Sequence, residues 1–175
     1  MAMSCSYAEK WSRSYKEALK PLTEAQARER HEAGKLYTVL LGGPERPRAI
    51  VETRDHYFGI EFLDDHLRAH TTYQFKRQPD GRLFMVMAVF RRFADDVKGA
   101  VFGQSLHFKT DGHVLSIEED FRSRTETRTE KRMDVSLNWE PYPAFGNYAS
   151  IARYDRDRPA ADPSAVTSAD QPVSH

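Results

Sequence analysis

Two residues, Gln104 and Glu119, sit where their types could do chemistry. In the stretch HFKTDGHVLSIEEDF, His107 to Phe121, the pair Asp111-Gly112 reads as a two-residue hairpin turn. That register sets Phe108 opposite Leu115, Leu106 opposite Ile117 and Phe102 opposite Phe121, with Gln104 facing Glu119 inside the same apolar stripe. An isolated ionised carboxylate there costs several kcal/mol, so Glu119 must be hydrogen-bonded, solvated by a cavity, or hold its proton. On an interior wall it is a tentative acid or base, with Gln104 or Tyr73 as the orienting donor. The competing expectation is that a bulge near Glu118, Glu119 and Asp120 turns Glu119 outward, or that it lies at a wet rim.

Other catalytic chemistry finds little support. The histidines, at 31, 56, 66, 70, 107, 113 and 175, show no helical zinc spacing, and the single cysteine, Cys5, rules out an intrachain disulfide or a cysteine-based metal site. No metal or cofactor is expected. There is no Gly-x-Ser-x-Gly, and LLGGPERP is a turn between strands without a phosphate-binding helix behind it.

The elements that must hold these residues are mostly strands. Tyr7, Trp11, Tyr15, Ala18 and Leu22 recur at three- and four-residue spacing and predict an N-terminal helical segment over about 6–33, broken near Pro21. Thr23 and Gln26 form a capping-box signature for a second helix, and Gly34 supplies its stop. From Leu36 to Trp139 the period changes to two, giving about eight strands joined by short turns and therefore an antiparallel meander. A three-residue loop of Pro79, Asp80 and Gly81 sets Phe75 opposite Met85, Tyr73 opposite Met87 and Thr71 opposite Val89. The run LFMVMAVF is apolar on both faces, so something must cover the second one; the N-terminal helix is the expected cover. RSRTETRTEKR alternates charge with small or apolar residues and reads as a solvated strand face with a polar turn near Thr127. EPYPAFGNY offers Tyr142, Phe145 and Tyr148 either to the end of the sheet or to a protein partner.

Lysine plus arginine equals aspartate plus glutamate at 26 each, so no global field draws in nucleic acid or an anionic membrane. The expectation is one β-rich domain over 1–154 and a disordered tail over 155–175, in a cytoplasmic protein. The outline, a closed or strongly curved barrel-like sheet with one or two helices packed on it or plugging it, resembles the calycin or lipocalin-like architecture in general shape. Three functions fit. A small-molecule binder would line its interior with Phe75, Met85, Met87, Phe102, Leu106, Phe108, Ile117, Phe121 and Trp139 around an apolar or aromatic ligand. A cofactor-free lyase, isomerase or cyclase would use the interior carboxylate. An antitoxin or immunity-type protein would block a partner with its charged face and aromatic loop.

Overall fold

The computed structural model describes residues 3–55, 57–154 and 156. The expected tail lies outside these residues except for Arg156, which is buried. The elements run β1 (Cys5–Ser12), β2 (Glu17–Leu22), α1 (Glu24–Glu32), β3 (Tyr37–Leu41), β4 (Ala49–Arg54), β5 (Tyr57–Leu63), β6 (Ala69–Arg77), β7 (Leu83–Phe93), β8 (Ala100–Phe108), β9 (His113–Asp120), β10 (Thr125–Arg132) and β11 (Trp139–Glu140). All the strands belong to one antiparallel sheet with β10 at one end and β2 at the other, and β11 pairs beside β7. The expected closure into a barrel is therefore not found. β2, which would have to receive β10, carries Pro21 with no N–H and Lys20 at a φ of 54°, so its outer edge is a broken ladder.

The expected N-terminal helix is instead the β1–β2 hairpin. The helical spacing was accidental: Tyr15 is 79% exposed, whereas Trp11 is buried between Leu40 and Ile50. Ser12 Oγ accepts from the Tyr15 amide, and Lys16, at a φ of 56°, returns its N–H to the Ser12 carbonyl at 2.7 Å, which closes the turn. α1 follows the expected signals. Thr23 and Gln26 exchange both capping-box bonds, at 3.2 and 2.9 Å. Gly34, at a φ of 65°, ends the helix with Gly34 N–H to His31 O and Lys35 N–H to Arg30 O.

One face of β3 to β7, here the inner face, carries Tyr37, Val39, Val51, Phe58, Ile60, Tyr73, Phe75 and Ala88 into the main core. The chain's own C-terminal segment fills that face. Tyr148 and Ile151 are buried in it, Tyr142 meets Phe58 edge-on at 5.3 Å, and Phe145 stacks on Tyr7 at 5.2 Å. The aromatics of EPYPAFGNY are thus used within the molecule. β8 leaves β7 after the Met87–His107 pair, and β11 takes over the vacated edge opposite Phe84 and Leu83. Phe84, Val114, Val135 and Trp139 wedge the gap, and Asn138 donates to the Met85 carbonyl at 3.1 Å.

The loop at Pro79 to Gly81 forms as expected, with Gln78 and Arg82 closing it and Phe75 opposite Met85. A bulge beyond Phe75 then shifts the pairing by one, so Tyr73 faces Ala88 and Thr71 faces Phe90. In the next hairpin Lys109 N–H binds His113 O, which makes the loop three residues long, Thr110 to Gly112. The two-residue turn is thereby corrected, and every pair slips by one: Phe108 faces Val114, Leu106 faces Ser116 and Gln104 faces Glu118. The polar turn expected near Thr127 lies at Phe121–Arg124, leaving Thr127 in mid-strand. Gly112 has a φ of 88°, and a Cβ there would sit 2.7 Å from the Met133 carbonyl oxygen. Gly112→Ala should therefore lower the urea midpoint by the equivalent of about 1–3 kcal/mol, while an unchanged midpoint would reject this loop.

Candidate functional site

The slip relocates the residues expected to do chemistry. Glu119 lies opposite Gly103 and Glu126, exposed, on the outer face of the sheet. Gln104 stays on the inner face, where its amide donates to Glu118 Oε1 at 3.1 Å and Ser116 Oγ at 3.3 Å. Tyr73 is buried in the core and donates to the Tyr154 carbonyl at 3.0 Å. These three side chains do not converge, so no acid–base constellation forms from them.

The residues expected to line a pocket also separate. Phe75 and Met85 are buried core, Leu106 and Phe108 pack half-buried against it, and Phe102 lies half-buried under the Arg92 guanidinium at 5.1 Å. Trp139 packs on Phe84 at 4.9 Å with Arg82 stacked above it. Met87, Ile117 and Phe121 turn to the outer face instead, because the bulge in β7 and the slip in β9 each reverse the facing.

These last three define a surface. Pairing across the strands gives the outer-face rows Gln74, Met87, His107, Leu115, Glu130 and Thr72, Val89, Ser105, Ile117, Arg128. Met87, Val89, Leu115 and Ile117 are half-buried and belong to none of the apolar clusters of the core. Phe121 is 46% exposed, with its ring edge 3.2 Å from where a Cβ on Gly103 would sit, so the glycine lets the ring lie flat on the sheet. Arg91, Glu119, Glu126, Arg128 and Glu130 surround the strip with both signs of charge, and every residue of β10 is exposed. The arrangement is two apolar pairs, on β7 and on β9, separated by His107 and Ser105 of β8 and bordered by charge.

A second polar group is buried on the far side of the molecule. His31 Nδ1 lies 2.8 Å from the Tyr37 hydroxyl, which lies 2.9 Å from that of Tyr148. Burial first, and the bond to Tyr148 second, push the Tyr37 phenol far above its usual range, so it keeps its proton at neutral pH. Burial pulls His31 below the ordinary 6.5. An imidazole held neutral in the fold but free to charge when unfolded stabilises above pH 6.5 and loses that contribution as pH falls through the lowered value. Stability should therefore begin to decline just below pH 6.5, and His31→Gln should flatten that part of a melting-temperature profile. A slope that His31→Gln leaves unchanged would assign it to another group.

Among the described residues no three His, Cys, Asp or Glu side chains group as a metal site, and no helix is long and apolar enough to cross a membrane. His56 and His175 lie outside the described residues. Comparison with protein-family models, curated proteins and solved structures finds no match to this chain.

Proposed function

We propose that the protein acts by binding a protein partner through the outer face of β7 to β9, in the manner of an antitoxin or immunity protein. One observation supports this reading above all: β7 is apolar on both faces, yet among the described residues only the inner face and the start of the strand are covered. Met87 and Val89 continue through His107 and Ser105 into Leu115 and Ile117, beside the exposed ring of Phe121. A single half-exposed apolar residue is ordinary; two apolar pairs, Met87 with Val89 and Leu115 with Ile117, flanking the polar His107 and Ser105 and joined by the ring of Phe121, make a mixed surface of the kind that protein partners bind. The C-terminal segment, meanwhile, occupies the inner face that a carrier would keep open.

The test is Ile117→Glu combined with Leu115→Glu. Both side chains are half-exposed, so thermal unfolding should shift little, while a partner captured by the parent chain should no longer be retained. Capture that survives both substitutions would remove this face from the reading.

A small-molecule reading has its own support in a cleft of ≈ 650 Å³ beside the ends of β4 to β6, lined by Arg48, Phe62, Asp65, His70, Ala152 and Tyr154 among others. Apolar rings beside a guanidinium, an imidazole and a carboxylate suit a flat molecule with polar groups at its edge. Native mass spectrometry decides it: a bound small molecule lost on His70→Ala would move the function from the outer face to this cleft.

A further inference from the structure

β10 ends the sheet, and among the described residues no strand pairs with its outer edge. The Met133 amide donates to the Gly112 carbonyl at 2.9 Å, so Met133 turns its backbone groups toward β9. By strand alternation Thr125, Thr127, Thr129 and Lys131 do the same, and Glu126, Arg128, Glu130 and Arg132 present their N–H and C=O groups outward. Eight exposed residues without proline, bulge or left-handed backbone form a regular, open ladder. The other end of the sheet, with Pro21 and Lys20, lacks these properties.

Edge strands are commonly protected by charge, and β10 is charged, but the order of its signs matters. Glu126, Arg128, Glu130 and Arg132 alternate in sign on one face. Across the ladder Glu126 stands opposite Glu119. Its carboxylate pairs instead along its own strand with Arg128 at 2.5 Å, an exposed pair that water screens, while Glu130 reaches His113 at 3.2 Å. Like charges directly across a ladder destabilise it. An antiparallel second copy of β10 centred on Thr129 would instead place Glu126 opposite Arg132 and Arg128 opposite Glu130, each pair occurring twice by symmetry. All four of those residues are the ones whose backbone groups point outward, so the same register satisfies ladder and charge together. Shifting the pairing by one hydrogen-bonded step sets Arg128 against Arg128, or Glu130 against Glu130.

We infer that β10 pairs with β10 of a second copy of this chain, with Thr129 at the two-fold axis, joining two sheets edge to edge. The axis is perpendicular to the sheet, so both copies turn the same face to the same side. The pairing engages the β10 edge and its charges Glu126, Arg128 and Glu130 but leaves Met87, Val89, Leu115 and Ile117 uncovered, so it does not depend on the docking role proposed above.

Sedimentation equilibrium on the full chain tests it, with twice the 20.2 kDa chain mass as the expected result. Glu126→Arg places like charges opposite each other at two positions and should weaken association by about tenfold or more. Arg132→Glu alone should do the same, and the two together should restore it by exchanging the signs. Arg128→Pro removes an outward N–H and no bond to β9, and should abolish the dimer while the chain stays folded by circular dichroism. A monomer at every soluble concentration overturns the inference. So does a dimer whose mass is indifferent to the single reversals, since it would use another surface.

Discussion

Replacing Glu140 with alanine should lower the unfolding free energy by about 3–5 kcal/mol, because it strands a buried charge. Glu140 side-chain exposure is 7%, and its Oε1 accepts from Arg153 at 2.8 Å and from Arg156 at 2.6 Å. Arg156 has 0% side-chain exposure, sits 5.1 Å over the Phe75 ring, and has no partner for its Nε among the described residues. Its remaining bonds go to the Leu137 and Ser150 carbonyls, which are dipoles rather than counter-charges. Burial already works against the guanidinium and pulls its pKa down; Glu140 is what offsets this. Glu140→Gln keeps the shape and one acceptor and should fall between parent and alanine. Glu140→Ala with Arg156→Met removes both charges and should recover much of the loss. Denaturant midpoints at constant slope measure all three, and a loss below about 1 kcal/mol for Glu140→Ala would mean that water reaches Arg156.

The meander, its antiparallel sense and the α1 capping box were legible because each rests on a local rule. The first three residues of LFMVMAVF could be assigned a facing for the same reason, since Pro79-Asp80-Gly81 fixes the Phe75–Met85 pair. Beyond it the bulge enters, and no turn residue announces a bulge. The Thr110-Asp111-Gly112 loop was legible in principle. It repeats the x-Asp-Gly pattern of the β6–β7 hairpin, and in both loops the glycine takes a positive φ, 87° at Gly81 and 88° at Gly112. Reading the second hairpin by analogy with the first gives the observed register; reading Asp-Gly as a two-residue turn slips it by one and sends Glu119 to the wrong face.

The N-terminal hairpin was hidden for a different reason. Tyr7, Trp11, Ala18 and Leu22 satisfy a helical spacing, yet Tyr7 pairs with Leu22 and Trp11 with Ala18 across a turn, which is the same set of residues folded back on itself. Periodicity cannot separate the two when the turn falls at the centre of the stripe; the tertiary demand of β3 for a neighbour decides it. The cover expected over the second face of LFMVMAVF is found for part of the strand only, and it is not a helix. Val135 and Trp139 supply it for Phe84 at the start of the strand, whereas Met87 and Val89 remain half-exposed. The proposed docking surface is therefore the stretch of β7 over which the expected second cover is missing among the described residues.

A chain ended after Trp139 should fail to fold to a soluble monomer, whereas one ended after Arg156 keeps every contact described for the inner face. The segment that the shorter chain lacks buries Tyr148 and Ile151 fully, and such side chains contribute about 1.5–3 kcal/mol each. It also covers residues that cannot stay uncovered, since Phe58 would lose Tyr142 and Tyr7 would lose Phe145. The Tyr37 hydroxyl would lose its bond to Tyr148. Against a total stability of about 5–15 kcal/mol for a domain of this kind, these losses together are of the same size as the whole. Exposed Phe58, Ile60 and Phe75 would then form a contiguous apolar face, so aggregation rather than a simple loss of midpoint is the expected result. Size-exclusion profiles and near-ultraviolet circular dichroism distinguish the outcomes. A soluble, cooperatively unfolding product would mean that β3 to β8 close over their own core without the segment, and the inner face would again be available to a ligand.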